Sequence, residues 1–279
     1  MDDFRRTKRF IDTRGFTLVE ILVTLAIAAL VTAAIYNLFI KQNRTYIVQD
    51  EVAEMQQNLR AAIDIMVNEL RMAGLDPSGN AESAIVSVGG NSVNFTADLT
   101  GGESDGIDND GDGYTDEPDE TFDGVLSIPG DDITYSLVGG NLRRDDGTGA
   151  QILVENIEAL SFAYAYDNDN DGLLDTAGGN VIWAVDKDND NDLDHNLDTD
   201  TDGDIDVDDN PAGTALPADV MLDRIMAVRI WLLARTGMED TEFTDPDTYL
   251  VAGQAPYAPN DGYRRRLLTA TVKFRNLGL

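Results

Sequence analysis

Cysteine is absent from the 279 residues, which excludes disulfides, thiolate metal sites and a thiol nucleophile. Histidine occurs once, at His195, so a histidine metal cluster is excluded and histidine-dependent catalysis has little to work with. Bases are scarce: 20 Lys and Arg face 52 Asp and Glu, a formal net charge of −32. Nucleic acid is therefore excluded as a partner, because phosphate is bound through clustered Lys and Arg that displace counterions. No G-x-x-x-x-G-K phosphate loop occurs, and no reactive constellation emerges, so the chain reads as a non-enzyme. Glycine and proline, 25 and 8 in all, are both missing from Phe16 to Ala73.

The acid that is present is concentrated. Residues 103–123 hold ten Asp and Glu and no base, and residues 167–209 hold sixteen Asp against Lys187 alone. Outside these stretches 26 acids face 19 bases, an ordinary balance. Charge gathered in this way points to local sites rather than to a uniformly acidic surface.

Residues 1–15 are polar and carry Arg5, Arg6, Lys8, Arg9 and Arg14; the apolar run Phe16–Ile40 follows. Ile21–Ile40 contains no charge for 20 residues, and at about 1.5 Å per residue a helix of that length crosses a ~30 Å hydrocarbon core. Basic residues on the amino side put that end in the cytoplasm and the bulk of the chain outside. A secretory signal should close its apolar run with a small-residue cleavage site, and none is present here. A plain anchor leaves Glu20 unexplained, because an ionisable group in lipid is costly and is a functional candidate by default.

The segment Arg14–Val23, RGFTLVEILV, resembles the type IV prepilin processing motif. The resemblance implies cleavage after Gly15 by a membrane-embedded prepilin peptidase, methylation of the new amino terminus at Phe16, and an assembly role for Glu20. A carboxylate in apolar surroundings needs a cation, and the freed amine of Phe16 on a neighbouring subunit is a suitable one. Residence in the inner membrane before assembly, and in a pilus at the cell surface or in the periplasm afterwards, follows from the same resemblance.

The 58 glycine- and proline-free residues from Phe16 to Ala73 would span about 87 Å as one helix. Beyond Lys41, residues Val48, Val52, Met55, Leu59, Ile63, Met66, Leu70 and Ala73 recur at steps of three or four, one apolar stripe expected to pack on a following domain. Gly74 and Pro77 mark its end. The period then changes to two: Leu160, Phe162, Tyr164 and Tyr166 alternate, as do Met226, Val228, Ile230 and Leu232, and Leu268, Ala270, Val272 and Phe274. Gly89-Gly90-Asn91 and Gly139-Gly140-Asn141 read as hairpin turns. The expected fold class is α+β, a long amino-terminal helix packed on an antiparallel sheet. The expected parts are a leader (1–15), a membrane or filament-core helix (16–40), an amphipathic helix (41–74) and a β-rich domain (75–279) carrying the acidic stretches. Trp183 and Trp231 are expected in its core and His195 in an exposed loop. Arg264, Arg265 and Arg266 either meet an acidic neighbour or lie solvated on a strand edge.

Thr45–Gly74 (with Gln56, Arg60, Leu70, Arg71, Met72, Ala73) and Tyr263–Leu279 (with Arg265, Arg266, Leu268, Val272, Arg275, Asn276) are similar to PilW-type minor pilins and to J-type minor pseudopilins of type II secretion. Those families imply low-copy subunits that prime or cap a filament and meet other pilin subunits through the amino-terminal helix. A calcium-dependent adhesin displayed at a pilus tip is a further reading of the long loops.

Those loops have a pattern. Asp108, Asp110, Asp112, Gly113, Tyr114, Asp116 and Asp119 fit D-x-D-x-D-G-x-x-D-x-x-D. Calcium takes six to eight hard oxygens at about 2.3–2.6 Å, which alternate Asp side chains and one backbone carbonyl (here Tyr114) can supply, with glycine allowing the sharp turn. A second copy is Asp167, Asp169, Asp171, Gly172, Leu173 and Asp175; a third is Asp198, Asp200, Asp202, Gly203, Asp204, Asp206 and Asp209. Asp186, Asp188, Asp190 and Asp192 alternate between them, but Asn191 stands where glycine is expected. These stretches resemble the calcium loops of thrombospondin type 3 and dockerin repeats. Solvated acidic insertions are the alternative reading, and weak sites of about 10⁻⁴–10⁻³ M would match extracellular calcium.

Overall fold

The computed structural model describes residues 15–77, 79–99, 108, 113–114, 124–126 and 129–277. The chain divides into two compact units, Met1–Asp50 and Glu51–Leu279. A single helix, α1 (Leu18–Leu70), contributes to both. In the first unit its large apolar side chains are exposed from Phe16 to Ile40. Three polar residues there bond to their own helix, which lowers the cost of placing them in an apolar medium: Thr24 Oγ1 donates to the Ile21 carbonyl at 2.9 Å, Thr32 Oγ1 to Ala28 at 2.8 Å and Asn37 Nδ2 to Ala33 at 2.9 Å.

In the second unit the expected stripe is the buried face. Met55, Leu59, Ile63, Met66 and Leu70 enter the core together with Ala62, and Val52 lies against its edge. After Leu70 the chain tightens through hydrogen bonds from Met72 to Glu69 and from Ala73 to Leu70. Gly74 then takes φ +75° and donates to the Thr96 carbonyl at 2.9 Å, so the expected stop is observed.

The strands form two main antiparallel sheets. The first is a five-stranded meander of β1 (Ile85–Gly89), β2 (Ser92–Thr96), β3 (Asp132–Val138), β4 (Asn141–Asp145) and β5 (Gln151–Glu155), in that order. Both expected hairpins form: Gly89 pairs with Ser92 and Val138 with Asn141. In the second turn Gly139 and Gly140 sit at φ +61° and +78°, the mirror-image turn that matches strand twist.

The second sheet has β6 (Ile157–Tyr166), β9 (Ala184–Val185), β10 (Asp192–Asn196), β11 (Thr214–Met221), β12 (Ile225–Arg235) and β13 (Arg265–Lys273). Its order is β11-β10-β9-β6-β12-β13. A small ribbon of β7 (Thr176–Ala177) and β8 (Asn180–Val181) stands apart. Residues 167–209 are therefore not an appendage, since they weave β7 to β10 between their Asp loops.

Strands β6 and β12 are buried on both faces. Leu160, Phe162, Tyr164, Val228, Ile230 and Leu232 share a core with the helix. Ala163, Ala165, Ala227 and Leu233 share a second core with Trp183 and Trp231, where the Arg229 guanidinium lies 4.1 Å from the Trp183 ring centroid. The two tryptophans are core residues, as expected. His195 is not in a loop; it is a half-buried residue of β10, paired with Val185 on one side and Ala215 on the other.

Helix and first sheet are joined by a polar clasp. Tyr135 Oη donates to Glu69 Oε2 at 2.5 Å, and Arg144 Nε reaches the same carboxylate at 3.0 Å. Of the two readings of the arginine triplet, the acidic neighbour holds for two members. Arg264 pairs with Asp240 at 3.0 Å over the Phe243 ring. Arg265, with its side chain 0% exposed, bonds Glu158, Asp245 at 3.2 Å and Asp261 at 2.6 Å. Arg266 is exposed.

Candidate functional site

Helix α1 begins three residues after Gly15 with a reciprocal cap that its sequence spells as T-x-x-E. Thr17 N donates to Glu20 Oε2 at 3.0 Å, Thr17 Oγ1 donates to the same oxygen at 3.1 Å, and Glu20 N donates to Thr17 Oγ1 at 3.2 Å. The sequence reading of Glu20 as an assembly glutamate missed that it also caps the helix through Thr17. Gly15 and Phe16 are exposed, and a Cβ at Gly15 would meet nothing.

The Asp loops share one closing hydrogen bond. In each, the backbone N–H of the sixth residue donates to the carboxylate of the first: Gly113 to Asp108 at 2.9 Å, Gly172 to Asp167 at 2.7 Å, Gly203 to Asp198 at 3.0 Å, and Asn191 to Asp186 at 2.9 Å. The sixth residue lies at positive φ in all four, +102° at Gly113, +84° at Gly172, +101° at Gly203 and +69° at Asn191. In three of them the fourth residue is left-handed too, Asn170, Asn189 and Thr201 at +62° to +64°. Asparagine tolerates that region, so the loop that lacks its glycine folds like the others.

Among the described residues three carboxylate clusters result, each with oxygens within 4.8 Å of one another: Asp167, Asp169 and Asp175; Asp186, Asp188 and Asp190; Asp198, Asp200 and Asp209. The middle cluster was legible only as alternation. Among the expected ligands, Asp171, Asp202, Asp204 and Asp206 are not gathered. Instead Asp171 accepts from Leu173 N at 2.8 Å, Asp202 from Asp204 N at 2.9 Å and Asp206 from Asp208 N at 2.8 Å. Leu173 is exposed. In the first loop Asp108 and Tyr114 are described, while Asp110, Asp112, Asp116 and Asp119 lie outside the described residues.

Crowding leaves an electrostatic mark. Burial pushes Asp175 up; a hydrogen bond from the Asn168 backbone opposes it, and the charges of Asp169, Asp167 and Asp171 add to it. Burial, with Asp190 beside it, does the same to Asp188. For Asp200 the hydrogen bond from Asp202 N pulls down, yet burial and the charges of Asp202, Asp209 and Asp198 outweigh it and raise the group. Asp198 is the most constrained: it is 3% exposed, and while Oδ2 takes the Gly203 bond, Oδ1 has no hydrogen-bond partner. A buried carboxylate oxygen without a partner is costly. Asp209, across the cluster, is pinned by Thr199 N at 2.6 Å and Asp206 N at 2.9 Å. Such all-oxygen sets suit a hard divalent cation.

A groove of about 950 Å³ opens elsewhere, between Asn91, Glu158, Arg235, Tyr249 and Tyr257. It holds no nucleophile with an adjacent base among the described residues.

An exposed apolar helix, with an antiparallel two-sheet body on the helix's other half, defines a pilin-class protein. The prokaryotic N-terminal methylation motif matches residues 12–36. The family model of Type IV pilus-assembly protein W matches residues 132–276, and the chain belongs to that family. A type IV-like pilin from Thermus thermophilus is similar at 18% identity and a TM-score of 0.41, covering 80% of this chain and 98% of its own. No curated relative matches the chain. The α+β architecture and the PilW resemblance thus both hold.

Proposed function

We propose that this protein is a minor type IV pilin, cut after Gly15, methylated on the amine of Phe16 and carried into a pilus by its amino-terminal helix. The observation that carries the reading is the exposed apolar surface from Phe16 to Ile40, which needs lipid before assembly and other pilin helices afterwards. Thr24, Thr32 and Asn37 already bond within the helix, and Glu20 is the charge for which assembly must provide. The freed amine of Phe16 on a neighbouring subunit is that partner. Before assembly the helix rests in the inner membrane with the basic leader facing the cytoplasm, where prepilin peptidase acts. After assembly the globular part faces outward.

The Asp loops hold calcium in this reading. Support comes from the shared turn and above all from Asp198, whose buried Oδ1 lacks a donor. All-carboxylate ligation favours calcium over Mg²⁺, which dehydrates reluctantly.

The test of the filament role is Glu20→Val. Cleavage and methylation, read by mass spectrometry of the amino terminus, should be unchanged, while the amount recovered in sheared surface filaments should fall severalfold. Normal incorporation would remove the pairing role, and recovery of the native chain with residues 1–15 still attached would reduce the protein to a tethered ectodomain. A deletion strain that keeps its pili but loses secretion would move the protein to the J-type pseudopilins.

A further inference from the structure

We propose that Asn180 is a positioning residue that ties the cluster of Asp198, Asp200 and Asp209 to that of Asp167, Asp169 and Asp175, so that the two take up calcium as a linked pair. The inference rests on the calcium reading above and adds to it a dependence between sites.

The link runs through the β7–β8 ribbon. Asp175, a member of one cluster, stands at its base: Asp175 N donates to the Tyr166 carbonyl at 2.8 Å, and Ile182 N, just past β8, donates to the Asp175 carbonyl at 3.0 Å. The ribbon itself has two paired positions, Thr176 with Val181 and Ala177 with Asn180. A ribbon that short has no stability of its own, so its order is set by what holds its two ends. One end is the Asp167–Asp175 loop. At the other, Asn180 Nδ2 donates to the Thr201 carbonyl at 2.8 Å.

Thr201 lies between Asp200 and Asp202 and is held at φ +64°, a conformation that a β-branched residue avoids. Two glycines let ribbon and loop approach this closely. A Cβ on Gly178 would come 3.1 Å from Thr201 Oγ1, and a Cβ on Gly203 would come 2.9 Å from the Asn180 side-chain amide. The turn that places Asp200 and the buried, partnerless Asp198 Oδ1 is thus braced by the ribbon, and the ribbon is anchored in turn by the neighbouring cluster. An ion that orders either loop meets part of the ordering cost of the other, which is positive linkage without a large structural change. Linkage of this kind is reciprocal and on the order of tenfold in affinity.

The experiment uses the full chain in detergent, stripped with a chelator and titrated with calcium by calorimetry, with tryptophan fluorescence, to which Trp183 two positions beyond β8 contributes beside Trp231, as a second signal. The native chain should bind with positive cooperativity. Asn180→Ala should keep the number of ions and the melting temperature in chelator, yet lose cooperativity and bind the later ion about tenfold more weakly. Asp198→Asn should weaken binding at the 167–175 cluster by a similar factor, and Asp167→Asn should do so at the 198–209 cluster. Native binding with unchanged isotherms in Asn180→Ala would overturn the link and leave the calcium sites standing. A native chain that takes up no calcium would remove the sites themselves, and the link with them.

Discussion

Single residues in the acidic loops do two jobs that the sequence pattern separates only in part. The first Asp of each loop folds the turn by accepting from the sixth residue, and at Asp198 it also points an unpartnered oxygen into a burial it cannot leave. Later aspartates that fit the pattern, such as Asp202 and Asp206, spend their carboxylates on backbone N–H groups two residues on. Alternation in sequence marks the loop, but it does not say which oxygens converge. Asn191 was discounted because it is not glycine, although its left-handed φ is one that asparagine tolerates. Asp198→Asn separates the two jobs. With chelator present, the melting temperature should rise or hold, because a buried charge without a partner is removed. With calcium at a hundredfold excess over Kd, a native chain that binds as proposed should gain about 2.7 kcal/mol per site, and the variant should lose that increment. A variant that melts lower than native in chelator would show that Asp198 is paired in the ion-free protein.

At the scale of elements, what was readable from sequence is what repeats with a fixed period. The helix stripe, the alternation in β6, β12 and β13 and the two hairpin turns all appear where the pattern put them. The contacts between elements were not readable, because they join residues far apart in the chain. Arg265 on β13 reads as one of three basic residues on a strand edge, yet it is enclosed by Glu158 on β6 and by Asp245 and Asp261 from the segment before it. That segment has little regular structure beyond the bridge between Tyr249 and Tyr257, so the Arg265 clamp is what seats it on the sheet. The hydrogen bond and charge of Arg265 hold the Asp261 carboxyl below the usual carboxylate range. The folded state therefore binds fewer protons than the unfolded chain in acid. The clamp's contribution is complete above the unfolded value of about 3.9 and is lost as pH falls through the depressed folded value. Melting temperatures in chelator should drop steeply below about pH 4, and Asp261→Asn should flatten that limb while lowering stability at neutral pH. A variant with the native acid limb would show that other carboxylates set it.

For the molecule as a whole, the physical division does not fall where the glycine at the helix end suggests. The compact second unit begins at Glu51, inside α1, because the helix there supplies Met55, Leu59, Ile63, Met66 and Leu70 to the core shared by both sheets. Glu51 also accepts from Gly237 N at 3.0 Å and Glu69 accepts from Tyr135 and Arg144, so the same stretch is held by polar bonds along its length. Burying such side chains is worth roughly 1.5–3 kcal/mol each, so five of them together are comparable to the 5–15 kcal/mol by which a domain is usually stable. A chain that starts at Glu51 should accordingly be soluble and melt cooperatively. A chain that starts at Leu75 keeps every strand but exposes the apolar faces that the helix covered, and it should bind a hydrophobic dye, lack near-ultraviolet circular dichroism from its buried tyrosines and tryptophans, and aggregate. Leu59→Ala in the longer fragment should cost about 2–5 kcal/mol by cavity formation. If the fragment from Leu75 melted cooperatively at the same temperature as the one from Glu51, the helix would be a tether for a self-sufficient β domain rather than part of its core.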